Sequence, residues 1–151
     1  MTFFGQVFSS EGISLDSNKE AALQAVGPPQ SQAEVQSLLF FTGANEDFME
    51  GFVQITAPLR DLIKQEAPFQ RTPECQRAFE QTKKLLSGDK VMAYFDPHRK
   101  TKLMTDAGPY GLAVTLKQYD PHARWWRPVT YRSRALKDTE TRYSQLEKAL
   151  E

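Results

Sequence analysis

The spacing of the apolar residues changes once along the chain, near Asp89, and this change constrains the fold more than any other feature. Before it, apolar residues recur at intervals of three and four, which is typical of helices that bury one face. After it come short apolar segments separated by turn signals such as Asp96-Pro97 and Asp120-Pro121. We therefore predict an α+β fold with two units, residues 1–88 and 89–151.

The first unit is expected to begin with a short β segment. Residues 3–8 are aromatic and β-branched and predict one strand, and residues 13–15 predict a second strand after a turn. Asp16 or Ser17 can then cap a short helix. The apolar side of that helix is formed by Ala22, Leu23 and Val26.

Two later helix starts have clear capping signals. Ser31 and Glu34 form a capping box, in which each side chain accepts a hydrogen bond from a backbone amide near the helix start. Thr72-Pro73 combines a good N-cap with a proline at the first helical position, where an N–H would have no partner. The buried face of this second helix is predicted to hold Cys75, Ala78, Phe79, Thr82, Leu85 and Leu86, with Gly88 as its end.

The other elements follow from the same kinds of pattern. A short helical segment is predicted around Phe48 and Phe52, and a separate helix is predicted to begin at Thr56-Ala57-Pro58. In the second unit, strands are predicted over 91–95, 102–105, 112–116 and 127–131. Asp138 or Thr139 opens a final helix that aligns Tyr143, Leu146 and Leu150.

Composition excludes several classes of protein. Nineteen Lys and Arg balance nineteen Asp and Glu, so the chain lacks the basic excess common in nucleic-acid binders, although local patches matter more than the sum. The sole cysteine, Cys75, cannot form an internal disulfide. No apolar run reaches the roughly 18 residues of a membrane span, and the first residues lack a signal-peptide pattern. We expect an intracellular protein, in the cytoplasm or nucleus, without a membrane partner.

Several stretches occur in an order found in one known family. In the first unit they are FFGQVFSSEGISLD, PPQSQAEVQSLLFFTG, APLRDLIK and TPECQRAFEQTKKLL. In the second unit they are VMAYFDP, KTKLMTDAGPYGLAVTLKQ, WRPVTYRSRAL and RYSQLEK. Together they resemble the Pol polyprotein of gypsy-type LTR retrotransposons over nearly the whole chain. The resemblance implies the end of a reverse transcriptase (palm end, thumb and connection) followed by a truncated ribonuclease H domain.

The resemblance implies a catalytic two-metal site, and this chain contains only part of its set of carboxylate ligands. Ribonuclease H cleaves the RNA of an RNA–DNA hybrid with two Mg²⁺ ions, held in the family by about four carboxylates. Asp106 matches the first of these catalytic, metal-binding carboxylates, whereas without the family it would be interpreted as a turn-forming aspartate at a strand end. The second carboxylate falls on Ala149 or a gap, and the others are expected beyond Glu151. The polymerase aspartates are expected upstream, so we predict a chain that is inactive alone and binds no Mg²⁺ by itself.

Contacts to nucleic acid are implied at two places. Gly5 and Gln6 lie in the stretch that resembles the hairpin gripping the primer terminus. Arg127 and Arg134 belong to a group of arginines and tryptophans that can bind phosphates and stack on bases. That group also contains Arg124, Arg132, Trp125 and Trp126. Neighbouring strand residues face opposite sides, so at most one tryptophan can join such a platform, and the other is expected in the core.

One thumb stretch departs from the family pattern. Residues 45–50 contain three acids where the family has aromatic and basic residues. Negative charge there opposes binding of a polyanion. The alternative is an ordinary solvated helix face.

Three functional interpretations follow. The chain is a nucleic-acid-associated fragment of a reverse transcriptase and ribonuclease H that retains binding to an RNA–DNA hybrid. Alternatively, it is a co-opted interaction module with no nucleic-acid role, whose exposed helices or sheet edge bind a protein partner or a second copy. A third interpretation is an enzyme segment completed by another chain.

Overall fold

The structure, a computed structural model, describes residues 1–64, 68–87, 90–142, 144 and 148. Its strands are β1 (Thr2–Phe3), β2 (Gln6–Phe8), β3 (Ile13–Leu15), β4 (Val91–Met92), β5 (Thr101–Ala107), β6 (Gly111–Asp120) and β7 (Trp125–Ala135). Its helices are α1 (Ser17–Ala25), α2 (Gln32–Gly43), α3 (Phe52–Asp61) and α4 (Pro73–Leu85), with 3₁₀ turns at Glu46–Phe48 and Glu140–Arg142. The predicted α+β class is confirmed. Among the described residues, no helix is long and apolar enough to span a membrane.

The first sheet is antiparallel with the order β1-β2-β3-β4. The prediction of one strand over residues 3–8 is wrong, because Phe4 and Gly5 have φ angles of 49° and 76° and reverse the chain between β1 and β2. Positive φ at two successive central residues is the requirement of the tight hairpin turn that matches strand twist. The prediction for 91–95 is also wrong in extent, since β4 has only two residues and pairs with β3.

The predicted helix caps are confirmed. Asp16 caps α1 by accepting a hydrogen bond from the Asn18 amide at 3.2 Å. The Ser31 hydroxyl accepts from the Glu34 amide at 3.2 Å, and the Glu34 carboxylate accepts from the Gln30 amide at 2.6 Å. At the start of α4, the Thr72 hydroxyl accepts from the Cys75 amide at 3.3 Å.

Helix α3 differs from the prediction of a separate helix starting at Thr56-Ala57-Pro58. It starts at Phe52, after Gly51 with a φ of 70°, and Pro58 lies inside it. No side chain of the neighbouring residues caps this start. Instead, the Val53 amide donates to the Ser133 hydroxyl of β7 at 3.1 Å. The capping partner comes from a distant strand, so the local pattern could not reveal where the helix begins.

The main apolar core lies between the helices and the first sheet. It includes Leu23, Val35, Leu38, Phe48, Met49, Leu59, Leu62, Cys75, Ala78, Phe79, Leu86, Met92 and Tyr131. Three threonines, Thr42, Thr56 and Thr82, are fully buried. Each hydroxyl donates to the carbonyl four residues earlier in its own helix, at 2.7–2.8 Å. These bonds satisfy the hydroxyls, so the polar residues can lie inside the core.

The second sheet is antiparallel with the order β5-β6-β7. Its strands include the predicted cores 102–105, 112–116 and 127–131 but extend beyond each of them. The register between β6 and β7 shifts at Leu116/Lys117, where β7 contains one extra residue, Val129. The predicted helix end at Gly88, the unit boundary at Asp89 and the helix core formed by Tyr143, Leu146 and Leu150 lie outside the described residues.

Candidate nucleic-acid interface

The tip of the β1–β2 hairpin carries two exposed aromatic rings beside a lysine. Phe3 is 58% and Phe4 84% exposed, and their ring centroids lie 4.4 Å apart in an edge-to-face arrangement. The Lys19 ammonium, at the start of α1, donates to the Phe4 carbonyl oxygen at 3.1 Å. Exposed rings beside a fixed cation can stack on bases and attract phosphate.

The predicted residues Gly5 and Gln6 lie in this hairpin. Gly5 has a left-handed φ, and an added Cβ there would collide with the Lys19 side chain. Glycine is therefore needed both for the turn and for the approach of Lys19. Gln6 is half-buried and opposite Phe3 and Leu15 in the sheet. The sequence analysis did not predict Phe4 and Lys19 as candidate contacts. The signal that could have indicated Phe4 is the pair of aromatic residues directly before the turn glycine.

The arginines predicted to bind nucleic acid are held by acceptors of the chain itself. Arg127 donates to the Glu11 carbonyl oxygen at 2.6 Å, and its guanidinium lies 3.5 Å from the Asp120 carboxylate. Arg134 forms a two-pronged pair with Glu140, with both N–O distances at 2.9 Å. A phosphate would have to compete with these acceptors for either guanidinium.

Glu140 is nearly inaccessible, with 3% of its surface exposed. Its carboxylate accepts hydrogen bonds from Arg134 and from the Lys137 amide, the latter at 2.7 Å. These bonds, that from Arg134 first, lower the pKa of Glu140 to about 2. Glu140 therefore stays ionised at neutral pH and fixes Arg134 over the end of β7.

A second carboxylate, Asp120, organises the turn between β6 and β7. It accepts hydrogen bonds from the amides of His122 at 2.9 Å and Ala123 at 3.3 Å. The amide of Ala123 is the largest cause that lowers the pKa of Asp120, and Arg99 and Arg127 act in the same direction. The sequence indicated a turn at Asp120-Pro121 but not this ionic role.

The acidic stretch of residues 45–50 contacts the second sheet through Glu46 and Asp47. Glu46 and Asp47 lie 2.8 Å and 3.1 Å from the Arg132 guanidinium. The Thr130 hydroxyl donates to the Asp47 carboxylate at 2.7 Å. The interpretation as a merely solvated face is therefore wrong for these two acids, because they join the helical part to β7.

A basic and aromatic patch lies near the β6–β7 turn. The Lys102 ammonium is 4.7 Å from the centroid of the Trp126 ring, which also meets Tyr119 edge-to-face at 5.7 Å. Lys117 is directly opposite Lys102 in the ladder. Trp126 shares a sheet face with the two lysines, whereas Trp125 is exposed on the other face, so at most one tryptophan joins this patch, as predicted. The expectation that the other tryptophan lies in the core is wrong, because Trp126 is half-buried and Trp125 is exposed.

Asp106 lies exposed near the end of β5, beside a depression of about 270 Å³. The depression is also lined by Thr105, Leu112, Ala113, Val114, Arg132, Ser133, Arg134 and Lys148. In the described part of the chain, no second carboxylate lines it, and no group of three His, Cys, Asp or Glu side chains could hold a metal. A single carboxylate does not suffice for a two-Mg²⁺ site, which needs several anionic ligands. Ala149, at the slot of the second carboxylate, lies outside the described residues.

Comparison with known proteins identifies the family. A family model described as an RNase H-like domain found in reverse transcriptase matches residues 72–151, more than half of the chain. The chain belongs to this family. The match includes α4 and strands β4 to β7.

The resemblance to gypsy-type Pol polyproteins is confirmed as well. The retrovirus-related Pol polyproteins from the Drosophila melanogaster transposons opus and gypsy are 25% and 28% identical, each over 98% of this chain. The chain spans only 16% and 15% of the length of those two proteins. The same fold occurs in a foamy viral protease-reverse transcriptase, with a TM-score of 0.79 and 24% identity, over 99% of this chain and 20% of that one.

Proposed function

We propose that this chain binds RNA–DNA hybrid through the β1–β2 hairpin and does not cleave it by itself. The exposed pair Phe3 and Phe4 beside the Lys19 ammonium carries the proposal. Base stacking on an aromatic side chain contributes about 1–3 kcal/mol per base. In support, the foamy viral enzyme that shares the fold was solved in complex with RNA/DNA hybrid.

Within the hairpin, we assign different tasks to the neighbouring residues. Gly5 allows Lys19 to lie against the turn, so that the cation is held beside the rings. Gln6 is half-buried and pairs with Phe3 next to the turn, and we expect its side-chain amide to contact the sugar-phosphate backbone. Both residues therefore remain predicted contacts to the hybrid: Gly5 through its backbone and Gln6 through its side chain.

A second contact is proposed at the basic and aromatic patch of Lys102, Lys117 and Trp126. Its cations have no carboxylate partner within the described residues, in contrast to Arg127 and Arg134. Lysines in this state can neutralise phosphates without first breaking an ion pair. Arg127 and Arg134 stay predicted contacts, with a smaller expected share of the binding energy.

The hairpin assignment is tested by anisotropy of a labelled RNA–DNA hybrid with two matched phenylalanine variants. Phe4→Ala should weaken binding roughly 5- to 100-fold, because it removes one stacking surface. Phe40→Ala is the control, since Phe40 is 82% exposed on α2 and lies outside the hairpin. Equal affinities of the two variants would contradict the assignment.

The second candidate function is a protein-interaction module with no nucleic-acid role. It is favoured by one specific observation: among the described residues, β5 pairs with a neighbouring strand on one side only and residues 101–106 are exposed. If the chain is a protein-interaction module, it should show no salt-dependent binding of RNA–DNA hybrid. Hybrid binding measured over a salt series therefore separates the two candidate functions.

A further inference from the structure

Two side chains from distant parts of the sequence hold the turn between β2 and β3. The Arg127 guanidinium donates to the Glu11 carbonyl oxygen at 2.6 Å, and the Tyr94 hydroxyl donates to the Ser9 carbonyl oxygen at 2.8 Å. These bonds join residues that are 116 and 85 positions apart. We call the two hydrogen bonds the turn clamp. Because their acceptors are backbone oxygens, the bonds fix the path of the turn itself.

Residues 91–93 join the two sheets beside this turn. β4 pairs with β3 in the first sheet, and the Ala93 amide donates to the Pro128 carbonyl oxygen of β7 at 2.8 Å. Gly12, in the clamped turn, lies so close to the Met92 carbonyl oxygen that an added Cβ would collide with it. Backbone contacts therefore bring the two sheets together, and the turn clamp adds side-chain bonds to them.

Arg127 is itself held from a second side. Its guanidinium lies 3.5 Å from the Asp120 carboxylate, which also accepts hydrogen bonds from the His122 and Ala123 amides. The Arg127 side chain is only 19% exposed. One planar guanidinium thus connects the β6–β7 turn to the β2–β3 turn, which requires donors that point in two directions.

The turn clamp lies close in sequence to both proposed hybrid contacts. Only β2 separates the clamped turn from the tip of the β1–β2 hairpin, and its three residues span roughly 10 Å. On β7, Arg127 directly follows Trp126, the ring that Lys102 contacts. Neighbouring strand residues face opposite sides of a sheet, so Arg127 and Trp126 do not compete for one surface.

We propose that Arg127 and Tyr94 are positioning residues for hybrid binding. They fix the hairpin relative to the patch of Lys102, Lys117 and Trp126, so that one duplex contacts both; the inference rests on the proposed function. Two linked contacts can bind up to about 10²- to 10⁴-fold more tightly than either alone when the geometry allows both to engage. This gain decreases when the spacing is no longer fixed, and it is absent for a duplex too short to reach both contacts.

The test is hybrid affinity as a function of duplex length, measured by fluorescence anisotropy with the 151-residue chain. Lengths of about 6 to 24 base pairs bracket the roughly 16 base pairs that a small double-stranded-RNA-binding domain spans. The unmodified chain should show a step of about tenfold or more at the length that reaches both contacts. Arg127→Lys and Tyr94→Phe should each reduce this step about threefold or more, the effect of one lost hydrogen bond. Their affinity for the shortest duplex should stay unchanged.

The choice of variants separates positioning from direct contact. Arg127→Lys keeps the positive charge, so a simple phosphate contact would tolerate it at every length. The matched controls are Arg77→Lys and Tyr110→Phe, at exposed sites outside the hairpin, the turn clamp and the patch, and both should keep the full step. Hybrid binding without a step, a step that survives either clamp variant, or an equal loss at every length would overturn the inference and leave the proposed function standing. No hybrid binding at low salt would overturn both.

Discussion

At the scale of single residues, Asp106 is the side chain on which any hybrid cleavage by this chain would depend. It is the one family carboxylate found among the described residues, and no other carboxylate lines the depression beside it there. With a labelled hybrid and Mg²⁺, we expect the chain to release no product beyond that of Asp106→Asn. Denaturing gels measure this directly. Mg²⁺-dependent cleavage that disappears in Asp106→Asn would contradict the expectation.

Glu140 gives a residue-scale prediction about pH. Its pKa is lowered from the usual 4.5 to about 2 in the folded chain, chiefly by the Arg134 hydrogen bond. Its contribution to stability is therefore complete above about pH 4.5 and is lost as the pH falls toward 2. Glu140→Gln should lower the urea midpoint at pH 7, and the difference should shrink at pH 3.

The matched control for this prediction is Glu11→Gln, which changes an exposed acid in the β2–β3 turn. Its urea midpoint should stay close to that of the parent chain at both values of pH. A Glu140→Gln variant whose midpoint differs from the parent by the same amount at pH 7 and pH 3 would count against the ion pair as the cause.

At the scale of elements, α4 is held mainly by its apolar face. Phe79 is only 3% exposed and belongs to the core, as its helical spacing predicted. Phe79→Ala should lower the free energy of unfolding by about 3–5 kcal/mol, through lost burial and the cavity left behind. Denaturant titration measures this, with the exposed Phe40→Ala as the control. A loss below about 1 kcal/mol would be typical of a surface residue.

The elements also show which parts of the fold could be predicted from sequence. The caps Asp16, Ser31 and Thr72 were predictable because each bonds an amide two or three residues away. The start of α3 was not, because its amide partner, Ser133, is distant in sequence. Local sequence patterns predict hydrogen bonds between residues that are close in sequence. Hydrogen bonds between distant segments become visible only in the structure.

At the scale of the whole molecule, contacts between distant segments changed the interpretation of the charges. The acids Glu46 and Asp47 were predicted to repel a polyanion or to lie in solvent, but they bind Arg132. Likewise, Arg134 was predicted as a phosphate ligand from its neighbours in sequence, and the structure pairs it with Glu140. Among the described residues, Lys102 has no carboxylate partner and contacts the Trp126 ring, which only the fold could show.

The central claim is that this chain binds RNA–DNA hybrid through a few cationic and aromatic contacts. The most direct measurement is hybrid affinity over a salt series from about 50 to 200 mM. For two or three neutralised phosphates, counterion release predicts a loss of affinity of roughly 10- to 50-fold across that range. No binding at low salt, or an affinity that does not change with salt, would contradict the claim.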